Sequence, residues 1–376
     1  MFIPPHCPNP ACEHYQRPKT PLWYSTHGHY WTKTFGRIPR FRCKACRIGF
    51  SSQTFSIDYF AKRALDYGYI YSKVNDGAGL RKIGRDLHAS CASVINRIHR
   101  LARNAVLVNQ QIVDRLPLDE DLVLDGLQNF CVSQYFPDNY TIAVGKRSQF
   151  VYECDYATIR RTGRMTARQR KRRAELEKIF RPPANAIRKS FSRALDVARR
   201  KSESRRFPLI LYTDEKTDYQ RALWKSSENR KNMVSGQWRH HRTSSKVGRN
   251  TQNPLFAVNY IDREIRKDMA SQARETVQFP RNVSNAMLRM YLYLFDHNVR
   301  KPYRIRMTNE ESRRSHAETA GLDRKSLIRI TKGYFSSRFF RPPGIALSES
   351  ARMTLDGAWV TPPKAMGEVF PKHLVA

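Results

Sequence analysis

Short apolar runs and two different periods divide this chain. From about residue 115 the pattern is that of strands, with candidates at 121–126, 129–135, 140–145, 149–155 and 208–213. Two of them close on an acid: Leu122-Val-Leu-Asp125, and Phe207-Pro-Leu-Ile-Leu-Tyr-Thr-Asp214. A short apolar run reads as a buried strand. A carboxylate at its end is costly unless a cation or a metal meets it. Elsewhere the period is helical. Ser56 can cap a helix reaching Tyr71, with Ile57, Phe60, Ala61, Ala64 and Leu65 on one face. Leu80, Ile83 and Leu87 form a second short face, His88-Ala89-Ser90 can turn, and Val94, Ile95, Ile98 and Leu101 stripe the next helix. Val258, Ile261, Ile265 and Met269 recur at helical spacing late in the chain.

The first 55 residues differ. Aromatics at 23, 24, 30, 31, 35 and 41 alternate loosely between two cysteine pairs, Cys7/Cys12 in CPNPAC and Cys43/Cys46 in CKAC. These spacings suit two tight knuckles presenting four thiolates to one tetrahedral Zn2+. So little core would make metal binding a large part of the ribbon's folding free energy. Four unrelated free thiols are the plain alternative. His6 and His14 could serve as substitute ligands; Cys91, Cys131 and Cys154 stand alone and read as small buried apolar residues.

Charge changes the picture most. The chain has 376 residues, 68 Lys and Arg against 33 acids, and a formal net charge of +35. Such an excess attracts nucleic acid or an anionic membrane surface. No apolar stretch is long enough for a membrane span. The N-terminal sequence lacks the basic and apolar regions of a secretory signal, and with close-paired cysteines this leads to the expectation of a reducing cytoplasm. From Ala157 to Arg206 there are 18 Lys and Arg and four acids. Within that stretch Thr166 can cap a helix carrying Arg168, Arg170, Lys171, Arg172 and Arg173. It reads either as a solvated helix or as one whose repulsion DNA phosphates neutralise. Residues 56–110 have the layout of a helix-turn-helix, whose second helix would offer Ser90, Ser93, Asn96, Arg97 and Arg100 to base edges. An ordinary helical hairpin has the same pattern.

An antiparallel set, then a helix, then a strand carrying an acid is the order of a ribonuclease H-like domain. The expected architecture is multidomain: a zinc ribbon over 1–55, an all-α helix-turn-helix over 56–110, an α/β ribonuclease H-like catalytic domain over 115–300 with a basic insertion at 156–206, and a basic, then irregular, peripheral extension over 301–376. Asp125 and Asp214 suit phosphoryl transfer with two Mg2+, and a third acid is sought on the late helix. There Asp262 and Arg266 stand four apart and would meet, either as a surface ion pair or as a metal ligand steadied by arginine.

The chain resembles bacterial insertion-sequence transposases of the DDE type. The resemblance rests on CPNPAC/CKAC, GLRKIGRDLHASCASVINRIHR, LDGLQNF, YTDEKTDYQRAL, and NPLFAVNYIDREIRKD followed by RETVQFPRN. It implies three acids binding Mg2+ on a ribonuclease H-like core, the first two at Asp125 and Asp214. Many relatives place a Glu seven residues before a basic residue on the late helix. Counting back from Arg266 reaches Asn259, so the chain departs from that pattern. Asp262 is then the better third acid, with Glu264 second. The implied activity is DNA transposition: binding of terminal repeats, hydrolysis at the element end, and joining of the freed 3′-OH to target DNA, with the protein as a homo-oligomer on DNA. The rival from another class is a noncatalytic DNA-binding regulator or an inactivated transposase. A ribonuclease H-like nuclease without strand transfer is the third reading.

Overall fold

The structure, a computed structural model, describes residues 2–244, 246–304, 306 and 308–364. It is mixed α/β, with two separate sheets. The first is the N-terminal ribbon: β1 (Tyr24–Thr32), β2 (Gly36–Cys43) and β3 (Gly49–Ser51), all antiparallel in that order. Its core is Trp23, Phe41, Phe50 and Phe55 around the cysteines. Trp23 stacks on Phe50 with ring centroids 5.5 Å apart. Trp31, at the end of β1, is 72% exposed and adds nothing to that core.

The helix expected from Ser56 to Tyr71 does not form. Ser56 instead pairs in extended conformation with Ser337, and the Ile57 N–H donates to Ser336 O (2.9 Å). Phe60 adopts φ +56° and is 65% exposed. The helix starts late, as α1 (Tyr67–Asn75), because the Asp66 carboxylate accepts from the Tyr69 N–H and supplies the cap. The next pair follows the expected layout. α2 (Leu80–Asp86) ends before His88 at φ +47°, and Ser90 accepts from the Ser93 N–H to start α3 (Cys91–Arg115). α3 runs well past a reading helix, and its second half is almost wholly buried. The boundary expected near 110–115 is therefore absent as a physical gap. One hydrophobic core joins Ile57, Ile98, Leu124, Leu211 and Tyr334.

The second sheet has five strands. β4 (Leu122–Phe130), β5 (Pro137–Gly145) and β6 (Val151–Thr158) form the antiparallel set. α4 (Ala167–Ile179), α5 (Ala186–Ala194) and α6 (Asp196–Lys201) lead to β7 (Leu209–Asp214), which pairs parallel to β4. α7 (Thr217–Lys225) and α8 (Ser227–Val234) follow, then β8 (Trp238–Thr243), parallel to β7. The order is β6-β5-β4-β7-β8. The separate strand expected at 129–135 is absent: β4 continues to Phe130 and the chain turns through 131–136. Nor is 156–206 one insertion. α4 buries no side chain, whereas α5 returns to the sheet and stacks Phe191 on Tyr219 of α7 at 4.4 Å.

Alternation along the strands sorts the residues. Leu122, Leu124 and Leu211 face the core with α5 and α7. Val123, Leu127 and Tyr212 face the opposite side, against α9 (Phe256–Asp268) and α10 (Val283–Phe295). Asp125 and Asp214 have the parity of this second group.

The C-terminal part is not a peripheral extension. α11 (Glu310–Arg313) is followed by α12 (His316–Thr319), α13 (Arg324–Thr331) and α14 (Glu349–Asp356), and these last three pack onto the body. Tyr334 stacks on Phe295 at 3.9 Å, and Trp359 is buried beside Tyr156. Between them the segment straps the ribbon down. The Arg338 N–H donates to Phe55 O, and Phe340 meets His6, Tyr15 and Phe55. The end of that extension, 365–376, lies outside the described residues. Among the described residues no helix is long and apolar enough to cross a membrane.

Candidate active site and metal centre

β4, β7 and α9 bring three carboxylates to one cleft of about 580 Å3, lined by Asp125, Asp214 and Asp262. Asp125 Oδ1 accepts from the Gly126 N–H (2.7 Å) and from the Tyr219 hydroxyl (3.3 Å). Asp214 Oδ1 accepts from the Lys216 N–H (2.9 Å). Asp262 Oδ1 is buried without a hydrogen-bond partner among the described residues. Burial, and then the charge of Asp214, raise the pKa of Asp125 above the usual carboxylate range. Burial, and then Asp125, push Asp262 up to about 8. Like charges held together out of water resist ionisation until a cation joins them.

The cations are on the walls. Lys216, Arg249, Arg263, Arg266 and Arg274 line the same cleft. Arg266 does not form the expected ion pair with Asp262. Its guanidinium donates to Gln128 O (2.9 Å) and Gln272 O (3.2 Å), tying α9 to β4, and acts on Asp262 only through space. Glu264 looks away. It sits by Arg263 (3.7 Å) and Lys267 (3.6 Å) and lines a different pocket. The geometry thus brings Asp262, not Glu264, beside the two strand acids. The sequence reading does not anticipate Tyr219, Lys216, Arg249, Arg263 or Arg274. Only Lys216, two residues after Asp214, carried a signal. Gly126 is required by close approach: a Cβ there would lie 2.1 Å from Asn139 Oδ1.

The cysteines form a tighter set. Cys7, Cys12, Cys43 and Cys46 place all four sulfurs within 4.8 Å of one another. The Cys7–Cys46 and Cys12–Cys43 separations are 3.5 and 3.7 Å. A Zn–S bond of about 2.3 Å puts tetrahedral sulfurs about 3.8 Å apart. The cluster is compatible with a structural Zn2+ as it stands, without the histidines. Among the described residues no other set of three or more ligating groups is gathered so closely. The three aspartates are therefore spaced more widely than ligands of one small ion. The orphaned Asp262 oxygen and the two strand carboxylates are the hard oxygen donors that a divalent cation such as Mg2+ would take.

The expected DNA-reading face is altered. Ser93 and Asn96 are partly exposed on α3, but Arg97 and Arg100 are buried. Arg97 donates to Asn96 Oδ1 (2.7 Å) and Arg63 O; Arg100 donates to Asn96 Oδ1 (2.8 Å) and Ile57 O (2.7 Å). Their guanidinium groups thus hold the entry segment, and they occupy the Asn96 carbonyl. α4 starts at Thr166 as expected, in a reciprocal cap with Gln169. Acids do interleave in its second half: Arg172 pairs with Glu175 (3.1 Å) and Arg173 with Glu177 (3.4 Å). Arg170 donates to Met165 O (3.1 Å). Arg168 and Lys171 stay exposed with no acid beside them among the described residues.

Comparison with protein-family models, with curated proteins and with solved structures finds no match for the chain.

Proposed function

We propose that the protein is a Mg2+-dependent DNA transposase of the DDE type, with a ribonuclease H-like core, a zinc ribbon and a helix-turn-helix. The observation that carries this reading is the convergence of Asp125, Asp214 and Asp262 on one cleft whose other charged side chains are all cationic. Acids alone would repel a phosphodiester, and cations alone would bind it without chemistry. The strand order supports the same reading, since the acid-bearing β7 lies parallel against β4 after an antiparallel set and helices. Asp125, Asp214 and Asp262 would hold the magnesium, which when bound activates the attacking oxygen and stabilises the leaving one. The Tyr219 hydroxyl and the Lys216 N–H fix the first two carboxylates. Lys216, Arg249, Arg263 and Arg274 orient the phosphate oxygens. Water is the first nucleophile, and the 3′-OH it releases is the second. Ser93 and Asn96 are the base-reading candidates left on α3. Arg168 and Lys171 suit backbone contact, with Arg170, Arg172 and Arg173 joining where DNA competes for their present partners.

The test is incubation of the protein with DNA carrying its cognate ends, with and without Mg2+. Nicked and joined products are expected with wild type and none with Asp125→Asn. Binding with no cutting by wild type would favour the regulator.

A further inference from the structure

A second pocket, of about 520 Å3, lies between the helical pair and the body. It shares no residue with the carboxylate cleft. Leu80 of α2, Ile95 and Ile98 of α3, and Phe279 give it apolar walls. Arg81 and Arg281 stand at its exposed rim and Arg289 lies deeper, on α10. No acid lines it among the described residues, whereas acids line both the catalytic cleft and the pocket around Glu264.

Arg289 is the unusual group. No carboxylate pairs with it among the described residues, and its Nε reaches only Asn285 O at 3.4 Å. Burial lowers its pKa, and the groups that oppose this, Tyr140 and Cys131, carry no charge near neutral pH. A partly buried guanidinium facing a pocket with no anion beside it is a cost to the fold. Its retention makes sense if an anion completes the site. A pocket this large with apolar walls is too roomy for a bare inorganic anion and falls in the size range of small-molecule sites. Three guanidiniums suit a phosphate, and a partly buried aromatic ring beside branched apolar side chains suits a base.

We propose that this pocket binds a nucleotide, with its phosphate on Arg289, Arg81 and Arg281 and its base against Phe279 and Ile95. The site goes beyond the cleavage reading and does not depend on it. The nucleotide can be free or part of a DNA strand. The α9–α10 connection that lines the pocket also supplies Arg274 to the catalytic cleft, so both sites share one segment.

The test is calorimetric titration of the full-length protein, zinc present, with dAMP, adenosine, inorganic phosphate and a 12-nucleotide single strand. dAMP is expected to bind at one site per chain, at least about tenfold tighter than adenosine or phosphate alone. Arg289→Met should weaken dAMP at least about tenfold while raising the melting temperature of the ligand-free protein, because it removes an unpaired charge. Arg281→Ala, at the rim, should weaken dAMP about threefold and leave folding unchanged. It also serves as the test variant if Arg289→Met does not fold. Loss of single-strand affinity by the same factor in these variants identifies a strand nucleotide as the source; loss for dAMP alone identifies a free one. Wild-type dAMP affinity in both variants, or no preference of the wild-type protein for dAMP over adenosine and phosphate, overturns the proposal.

Discussion

The cysteine cluster, compatible with a structural Zn2+, and the aspartate cleft, for which we propose Mg2+, are opposite in construction. The cysteines come from residues 7–46, two from each of two tight knuckles, and their sulfurs lie within 4.8 Å of one another. They sit inside the ribbon's small aromatic core and supplement it, and the set is closed. The aspartates come from two strands and a helix far apart in sequence. They face an open cleft with cationic walls, and one buried oxygen has no partner. A closed set lowers the free energy of the fold; an open set of clustered, buried carboxylates costs free energy when its members ionise without a cation.

Removing a ligand from the closed set should have the largest effect. Cys43→Ser should reduce bound zinc from about one per chain to none and unfold the ribbon, since structural zinc supplies of order 10 kcal/mol in such folds. Metal analysis together with proteolysis of residues 1–55 reads both. A metal-free protein with a protected ribbon would break the comparison. Next comes the packing behind the open set. Gly126→Ala places a methyl into the Asn139 amide and should destabilise by about 1–3 kcal/mol, measured by denaturant unfolding.

The open set should behave inversely. The Asp262 carboxyl titrates near 8 in the fold against an ordinary 3.8. Its folded pKa is raised, so the metal-free protein loses stability through this group as pH climbs from about 4 to about 8. Asp262→Asn should remove that loss and be about 1–3 kcal/mol more stable than wild type at pH 8 without metal. Asp138, also raised to about 8, remains and keeps part of the slope. Mg2+ should stabilise wild type and not the variant, in paired melting curves across pH. The smallest effect on folding belongs to α4. Arg168→Ala with Lys171→Ala should change stability by less than about 0.5 kcal/mol. DNA affinity should fall equally for all sequences, with the salt slope reduced by about one per lost contact.

The two sites were not equally legible in sequence. The cysteine set was complete, because its ligands are local and their spacing is itself the geometry. Asp125 and Asp214 were visible because each ends an apolar run. Asp262 is preferred to Glu264 on the sequence, and the structure separates them by placing the two acids in different pockets, which needs the helix face to be known. β8, with the sequence WRHHRT, was invisible: it is an edge strand with only Trp238 and Thr243 buried, so it needs no apolar run. Arg97 and Arg100 looked like an exposed reading face. Backbone carbonyls of Ile57 and Arg63 accept from them, a partner type no side-chain pattern records. The strap through Phe340 is not legible for a different reason: its ring partners, His6 and Phe55, lie about 300 residues earlier, beyond any local pattern.

The claim that three aspartates form one catalytic metal site is tested most directly by Mg2+-dependent cleavage of cognate-end DNA, with Asp262→Asn and Glu264→Gln measured side by side. Asp262→Asn should abolish nicking while leaving DNA affinity nearly unchanged, and Glu264→Gln should cut at close to the wild-type rate. Full cutting by Asp262→Asn would contradict the assignment, whatever Glu264→Gln does.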